Sequence, residues 1–279
     1  MALVTGASGG IGPWIALGLA RAGLHVVLAG RDRARTEAAR SWVAGQVAGA
    51  APELEIADLS SLAEARALGE RVAARHGALA VLVNNAGVFR HRRALTAEGR
   101  ETVLAVNHLA PFVLTRALLP ALSAAVSEAG GARVVNVGSS ASDHAGIDPD
   151  DLEMARRWDL VRAYARSKLA LMMATFEWAE RAPGVGFLVV HPGGVQTGLV
   201  RAGGLVQFGW WAMSPFLLTP EQGAATPLHA ALTQDMAGVS GRYLKDSRTA
   251  RPNRRALDAA LRRRVWEATE RLAGQDLRR

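Results

Sequence analysis

The sequence predicts an α/β fold: three layers, doubly wound about a mostly parallel seven-stranded sheet. Short apolar, β-rich runs alternate with long Ala/Leu/Arg segments from the first residues to about residue 191. Such alternation builds parallel strands joined by right-handed helical crossovers. The strand runs are apolar almost throughout, as expected of a sheet covered on both faces. At 279 residues and 49% hydrophobic, the chain can fill one core of this kind. Neither an internal repeat nor a Gly/Pro/Ser-rich linker divides it, so residues 1–279 read as a single domain.

The first strand, 3–4, runs into Thr5-Gly6-Ala7-Ser8-Gly9-Gly10-Ile11-Gly12 and then a helix, 13–21. A Gly-rich turn between a first strand and a helix is the setting of a dinucleotide site. Gly6 permits the tight turn, Gly10 lets the backbone approach a pyrophosphate, and Gly12 lets helix and strand pack closely. The helix amino terminus, near Ser8 and Ile11, offers free N–H donors and partial positive charge to an anion. This is a Rossmann-type arrangement.

The second strand, 25–29, ends Ala29-Gly30-Arg31-Asp32. A site for NAD would carry an acidic side chain here for the ribose 2′-hydroxyl. Arg31 instead suits the 2′-phosphate of NADP(H), and Asp32 reads as the cap of the helix that follows, 33–48. The third strand, 54–57, ends at Asp58-Leu59, where Asp58 is either a ligand contact or a plain cap for the helix 62–75. The fourth, 80–83, ends at Asn84-Asn85-Ala86-Gly87 and leads to a helix over 98–122. Asn107 lies inside that apolar helix, where an Asn is costly unless hydrogen-bonded. The fifth strand, 133–137, leads to Ser139-Ser140 at the carboxyl end of the sheet, where open α/β sheets bind ligands.

The next helix, 162–181, carries Tyr164 and Lys168, four apart and so on one face. A phenol titrates near about 10, and a cation held close brings it toward the range useful for acid/base catalysis. The sixth strand, 186–191, ends in His191-Pro192-Gly193-Gly194-Val195-Gln196-Thr197. Beyond it the chain is less regular: an apolar stretch at 205–218, a helix opened by Pro220-Glu221, a seventh strand near 242–244 and a last helix over about 256–272.

These elements in this order resemble the short-chain dehydrogenase/reductase superfamily over nearly the whole length. The likeness rests on the Thr5–Gly12 turn, Asp58-Leu59, Asn84-Asn85-Ala86-Gly87, Ser139, Tyr164-Ala-Arg-Ser-Lys168 and the Pro192-Gly193 turn. Val106-Asn107-His108-Leu109, Ser167-Lys168-Leu169-Ala170 and Val265-Trp266-Glu267-Ala268-Thr269-Glu270-Arg271-Leu272 point to its retinol-dehydrogenase-like branch. That branch includes the oxidoreductase part of WW-domain-containing oxidoreductase.

The resemblance implies hydride transfer between NADP(H) and a small-molecule carbonyl or alcohol. It makes Tyr164 the acid/base and Lys168 the group that lowers its pKa and holds the nicotinamide ribose. Ser139 would stabilise the substrate oxygen, and Asn107 would hold a proton-relay water near Lys168. The alternative for Asn107 is a helix-bending Asn satisfied by its neighbours. Asp58 and Leu59 would meet the adenine, and Asn85, Ala86 and Gly87 would floor the cofactor site near the adenosine ribose. Pro192, Gly193, Val195 and Thr197 would hold the carboxamide and phosphates. A homodimer or homotetramer is expected.

Residues 198–220 fall where the family carries a substrate-covering segment. The aromatic stretch 205–218 suits a lid over a lipophilic carbonyl compound, a subunit contact, core packing, or peripheral membrane contact through Trp210 and Trp211. No cysteine is present, which excludes disulfides and thiolate metal sites and fits a reducing compartment. No metal is expected. The start shows no targeting pattern, and no run of about 18 uninterrupted apolar residues reads as a spanning helix, so a cytoplasmic protein is expected. The chain enters its first strand at once, implying either a short strand or a true start upstream of Met1.

The net charge of +8 is concentrated at 248–279, with ten Lys/Arg against four Asp/Glu. Arg262-Arg263-Arg264 reads as a solvated helix face, so nucleic acid is not expected as a partner. A cofactor-sensing regulator without chemistry is the rival reading, and the set Asn107, Ser139, Tyr164 and Lys168 argues against it.

Overall fold

The computed structural model describes residues 1–129, 131–196 and 217–274. In chain order it runs β1 (Ala2–Thr5), α1 (Gly12–Arg21), β2 (Val26–Gly30), α2 (Arg33–Ala44), β3 (Glu53–Ile56), α3 (Leu62–His76) and β4 (Val81–Asn84). A helical turn at Thr102–Leu104 and a π-helical turn at Ala105–Leu109 then lead into α4 (Ala110–Ala129). After these come β5 (Ala132–Val137), α5 (Leu160–Arg181), β6 (Val185–His191), α6 (Pro220–Leu232), β7 (Arg242–Lys245), β8 (Arg248–Thr249) and α7 (Ala259–Leu272).

The sheet order is β3-β2-β1-β4-β5-β6-β7-β8, with β1 to β7 all parallel. The expected seven strands are therefore present, and the count is corrected by an eighth, two residues long and antiparallel. Asp246 and Ser247 join β7 to β8 with φ of 47° and 57°. Both central residues of this hairpin are thus left-handed, as a two-residue turn that follows the sheet's twist requires. Asp-Ser lacks the glycine that usually announces such a turn.

The order in which strands are added reverses between β1 and β4, and a crevice opens there at the strands' carboxyl ends. One face of the sheet packs on α3, α4, α5 and α7, the other on α1, α2 and α6. On the first face Trp178, Trp266, Phe112 and Phe187 interlock, with Trp266 edge-on to both Trp178 and Phe112 at 4.8 Å. Edge-to-face geometry of this kind adds to the area each ring buries.

Several helix bounds differ from expectation for local reasons. The helix expected over 98–122 begins at Thr102, because Glu101 turns its carboxylate to accept from the backbone N–H groups of Val103 and Leu104 at 3.1 and 2.8 Å. The last helix is split at Asp258, whose side chain caps Ala260 and Leu261. Although no uninterrupted apolar run suggested it, the stretch Thr102–Val126 is long and apolar enough to cross a membrane, with a mean hydropathy of 1.7. Here it is the central helix of the larger core: a Cβ on Gly69 of α3 would sit 2.6 Å from Ala117 Cβ, so the two helices touch backbone to side chain.

Arg262 corrects the reading of the Arg262-Arg263-Arg264 run as a solvated face. Its guanidinium is buried, donating to Glu177 Oε1 at 3.1 Å and to Glu180, while Arg263 and Arg264 stay exposed. Thr197 and most of the expected 198–220 covering segment lie outside the described residues. The two ends of that segment meet beside the crevice: Leu218 donates its N–H to Gly194 O at 2.7 Å, and Gln196 donates to Leu218 O at 2.9 Å.

Candidate active site

A cleft of about 880 Å³ follows the carboxyl edge of the sheet from β2 across the reversal point to β6. Its floor is the glycine turn. Gly6 and Gly10 have φ of 63° and 58°, in the left-handed region. A Cβ on Gly12 would lie 2.4 Å from Gly6 O, so only glycine lets α1 start this close to β1. Thr5 fastens the turn: its Oγ1 accepts from the N–H groups of Asn85 and Ala86 at 3.0 and 3.1 Å and donates to Val83 O. Asn85 Nδ2 donates to Thr5 O at 2.9 Å and Gly6 O at 3.2 Å. The Asn85 side chain thus braces the glycine turn, while its edge, with Ala86 and Gly87, lines the cleft. Ser8, Gly10 and Ile11 line it too, at the amino end of α1, where N–H groups favour an anion.

At the β2 end, Arg31 and Asp58 face each other at 3.9 Å, Arg31 largely exposed. Asp58 is not the cap of α3. That position belongs to Ser61, and Asp58 Oδ1 accepts from Ser60 N–H in a local turn. Leu59 lines the same rim. Asp32 caps α2 as expected, accepting from Arg35 N–H at 3.0 Å. The cap orients Arg35, which sequence reasoning missed. Its Nη2 lies 3.5 Å from Ser8 O, so a second guanidinium overhangs the glycine turn. The one available signal was its place four residues after Arg31, across the first turn of α2.

At the other end, Tyr164, Ser139 and Lys168 converge in the cleft. The Ser139 hydroxyl neighbours the Tyr164 phenol closely enough to act on its titration. Burial pushes the phenol above its ordinary range, and the Ser139 hydroxyl opposes that in part. The expected lowering by Lys168 does not appear in this arrangement. The ammonium bonds Val137 O at 2.7 Å and stands 5.9 Å from the phenol ring centroid. Burial pushes Lys168 itself down to about 8. Phe89 meets Tyr164 edge-on at 5.2 Å and forms an apolar wall with Val88 and Val161.

Asn107 is fully buried in the π-helical turn. Its Oδ1 accepts from Val88 N–H at 2.8 Å, and its Nδ2 donates to Val88 O at 3.0 Å and Ser167 Oγ at 3.1 Å. The side chain is thus satisfied by these neighbours. It holds the 87–88 strand end against α5, and a Cβ on Gly87 would lie 3.5 Å from both Asn107 Oδ1 and Lys168 Nζ. Pro192, Gly193 and Val195 line the cleft after β6, as does His191, which the sequence reading passed over.

The cleft suits a nicotinamide dinucleotide. The left-handed glycines and the open start of α1 accept a pyrophosphate, and the arginine rim accepts the adenosine end.

A family model described as short chain dehydrogenase matches residues 1–204. Retinol dehydrogenase 12 of Bos taurus is 38% identical over 274 residues, covering 98% of this chain and 85% of that protein. Polyprenol dehydrogenase of Mus musculus is 38% identical over 284 residues, covering 98% and 84%. Among solved structures, the RhlG/NADP active-site complex of Pseudomonas aeruginosa superposes with a TM-score of 0.71 at 29% identity, covering 88% of this chain and 93% of that one.

Proposed function

Given that the chain belongs to the short-chain dehydrogenase family, in its retinol-dehydrogenase-like branch, we propose that it transfers a hydride between NADP(H) and the carbonyl or alcohol carbon of a lipophilic substrate. Membership makes it an oxidoreductase of CH–OH and C=O groups that uses a nicotinamide cofactor. NADP(H), the substrate class and the residue roles are our reading.

One observation carries the chemistry: Ser139 and Tyr164 stand side by side in the same cleft that the Gly6–Gly12 turn opens. The bound nicotinamide supplies or accepts the hydride. Tyr164, kept as a phenol at neutral pH by burial, gives its proton to the substrate oxygen as the carbonyl is reduced. Ser139 donates to the same oxygen while charge develops on it. The phenolate left on Tyr164 is stabilised by Ser139, and Lys168, which Val137 O holds in the same cleft, would hold the nicotinamide ribose. In the oxidative direction the same groups take the proton back. Asn107 keeps Val88, and with it the cleft wall, in register with α5. Phe89, Val88 and Val161 favour an apolar substrate beside Tyr164, and the relatives named for retinol and polyprenol suggest the same class.

NADP(H) is favoured because Arg31 and Arg35 both border the adenosine end. A panel of aldehydes and ketones followed by NADPH absorbance tests the reading. NADPH should be used far better than NADH, and Arg31→Ala with Arg35→Ala should raise KM for NADPH by about 10-fold or more, the scale of lost charge-assisted hydrogen bonds. Equal use of both nucleotides by the unaltered enzyme would remove the case for the two arginines.

A further inference from the structure

Ser139 can serve the substrate oxygen only if the turn that carries it is held still. Most of that turn is internally bonded. Ser142 Oγ donates to Ser139 O at 2.6 Å, and Ala141 N–H donates to Ser139 Oγ at 3.2 Å. Asn253 Nδ2 ties the turn's far side through Ser142 O at 2.7 Å and Ala145 O at 3.0 Å. Ser140 N–H alone among these reaches out of the turn to a ring nitrogen, Nδ1 of His191, at 3.2 Å. A backbone N–H can only donate, so Nδ1 must present its lone pair and the ring proton must sit on Nε2.

The surroundings favour that state. Lys245 pairs in register with His191 on the neighbouring strand. Its ammonium bonds Asp143, which also accepts from Tyr243 O–H at 2.9 Å. Asp143 follows the Ser140–Ser142 turn directly, so β7 grips both the turn and the strand that holds it. The groups facing the imidazole are Lys245, Asp246 and Tyr243 from β7 and its hairpin, Asp143 from the serine turn, and Tyr164 and Lys168 across the cleft. Burial first and Lys245 second disfavour the imidazolium, while Asp143 and Asp246 oppose them, and the net direction is downward.

We propose that His191 is a positioning residue for the reaction above: the lone pair of its Nδ1 holds the Ser139-Ser140 turn, so Ser139 is aligned only while that imidazole is uncharged. Protonation would set two N–H groups against each other and release Ser140. The reductase rate should therefore have an acid limb below about pH 6.5, the ordinary histidine range.

The proposal rests on the assigned reaction, so one arm of the test does not use turnover. In enzyme carrying 15N-histidine and 15N-serine, His191 is assigned by the signal missing from His191→Asn and the Ser140 amide by the one missing from Ser140→Ala. It should be the neutral Nε2–H tautomer at pH 7, and the Ser140 amide should shift along with its titration. Turnover is then measured with a carbonyl compound the unaltered enzyme reduces. His191→Asn, whose Oδ1 can still accept, should keep kcat within about 3-fold at pH 7.5 and lose the acid limb. His191→Leu, with no acceptor, should lower kcat by about 10-fold or more while KM for NADPH changes little. Lys245→Met should move the limb to higher pH.

An unchanged acid limb in His191→Asn, full kcat in His191→Leu, or a Ser140 amide indifferent to the ring's protonation would overturn the proposal. If no carbonyl compound is reduced, the assigned reaction fails, while tautomer and amide still decide the role of His191.

Discussion

At Lys168 stability and chemistry pull in opposite directions. The ammonium is buried, and among the described residues Val137 O is its hydrogen-bond acceptor. Its pKa is pushed down to about 8, against about 10.4 for the unfolded chain. Below pH 8 both states carry the charge and the fold bears the full desolvation cost. That cost is relieved as pH rises from about 8 to about 10, where the unfolded chain still holds the proton. Lys168→Met should therefore stabilise the protein by about 1–3 kcal/mol, raising Tm by a few degrees in a thermal melt, while removing reductase activity. A lower Tm would show that the lysine is structural. Tyr164 and Lys168 were legible because their four-residue spacing is itself the message. Arg35 and His191 were not, since each acquires its role from a partner far along the chain: Ser8 O for Arg35, 27 residues away, and Ser140 N–H for His191, 51 away.

Among the elements, the π-helical turn at Ala105–Leu109 was hidden because apolar periodicity does not register one inserted residue. Its consequence is visible in Asn107 and His108, adjacent polar residues that are both fully buried. Asn107 faces α5 and Val88, and His108 Nε2 lies 2.8 Å from Thr269 Oγ1 on α7. One-turn π-bulges recur at functional sites, and this one ties the cleft wall to the carboxy-terminal helix. That helix docks through a buried ion pair that charge counting had assigned to solvent. Arg262 meets Glu177, itself almost fully buried and also paired with Arg181. Arg262→Ala should cost about 3 kcal/mol in urea denaturation, because it leaves Glu177 short of a partner. Arg262→Met combined with Glu177→Leu should recover most of that loss. Failure of the double variant to recover would mean the pair does more than satisfy itself.

Across the whole molecule, the parallel sheet with helices on both faces followed from the alternation of strands and helices, because short crossovers leave few ways to connect such elements. β8 escaped because its turn uses Asp and Ser where glycine is customary, and the response to acid could not be read at all. His108 is fully buried, and burial pushes its pKa down to about 3. The unfolded chain takes up that proton below about pH 6.5, whereas the folded one refuses it until about 3, so stability falls with pH across that window by about 1.4 kcal/mol per unit. Between pH 7 and 5 this single residue should remove about 2 kcal/mol, and His108→Gln should flatten the urea-measured loss by that amount. An unchanged slope would place the acid sensitivity elsewhere.

The catalytic account itself depends on one phenol at the carboxyl edge of the sheet. It is tested most directly by Tyr164→Phe, with steady-state NADPH oxidation and nucleotide affinity measured on the same preparation. The rate should fall by at least about 100-fold while affinity stays within about 3-fold. A near-normal rate in that variant would contradict the assignment.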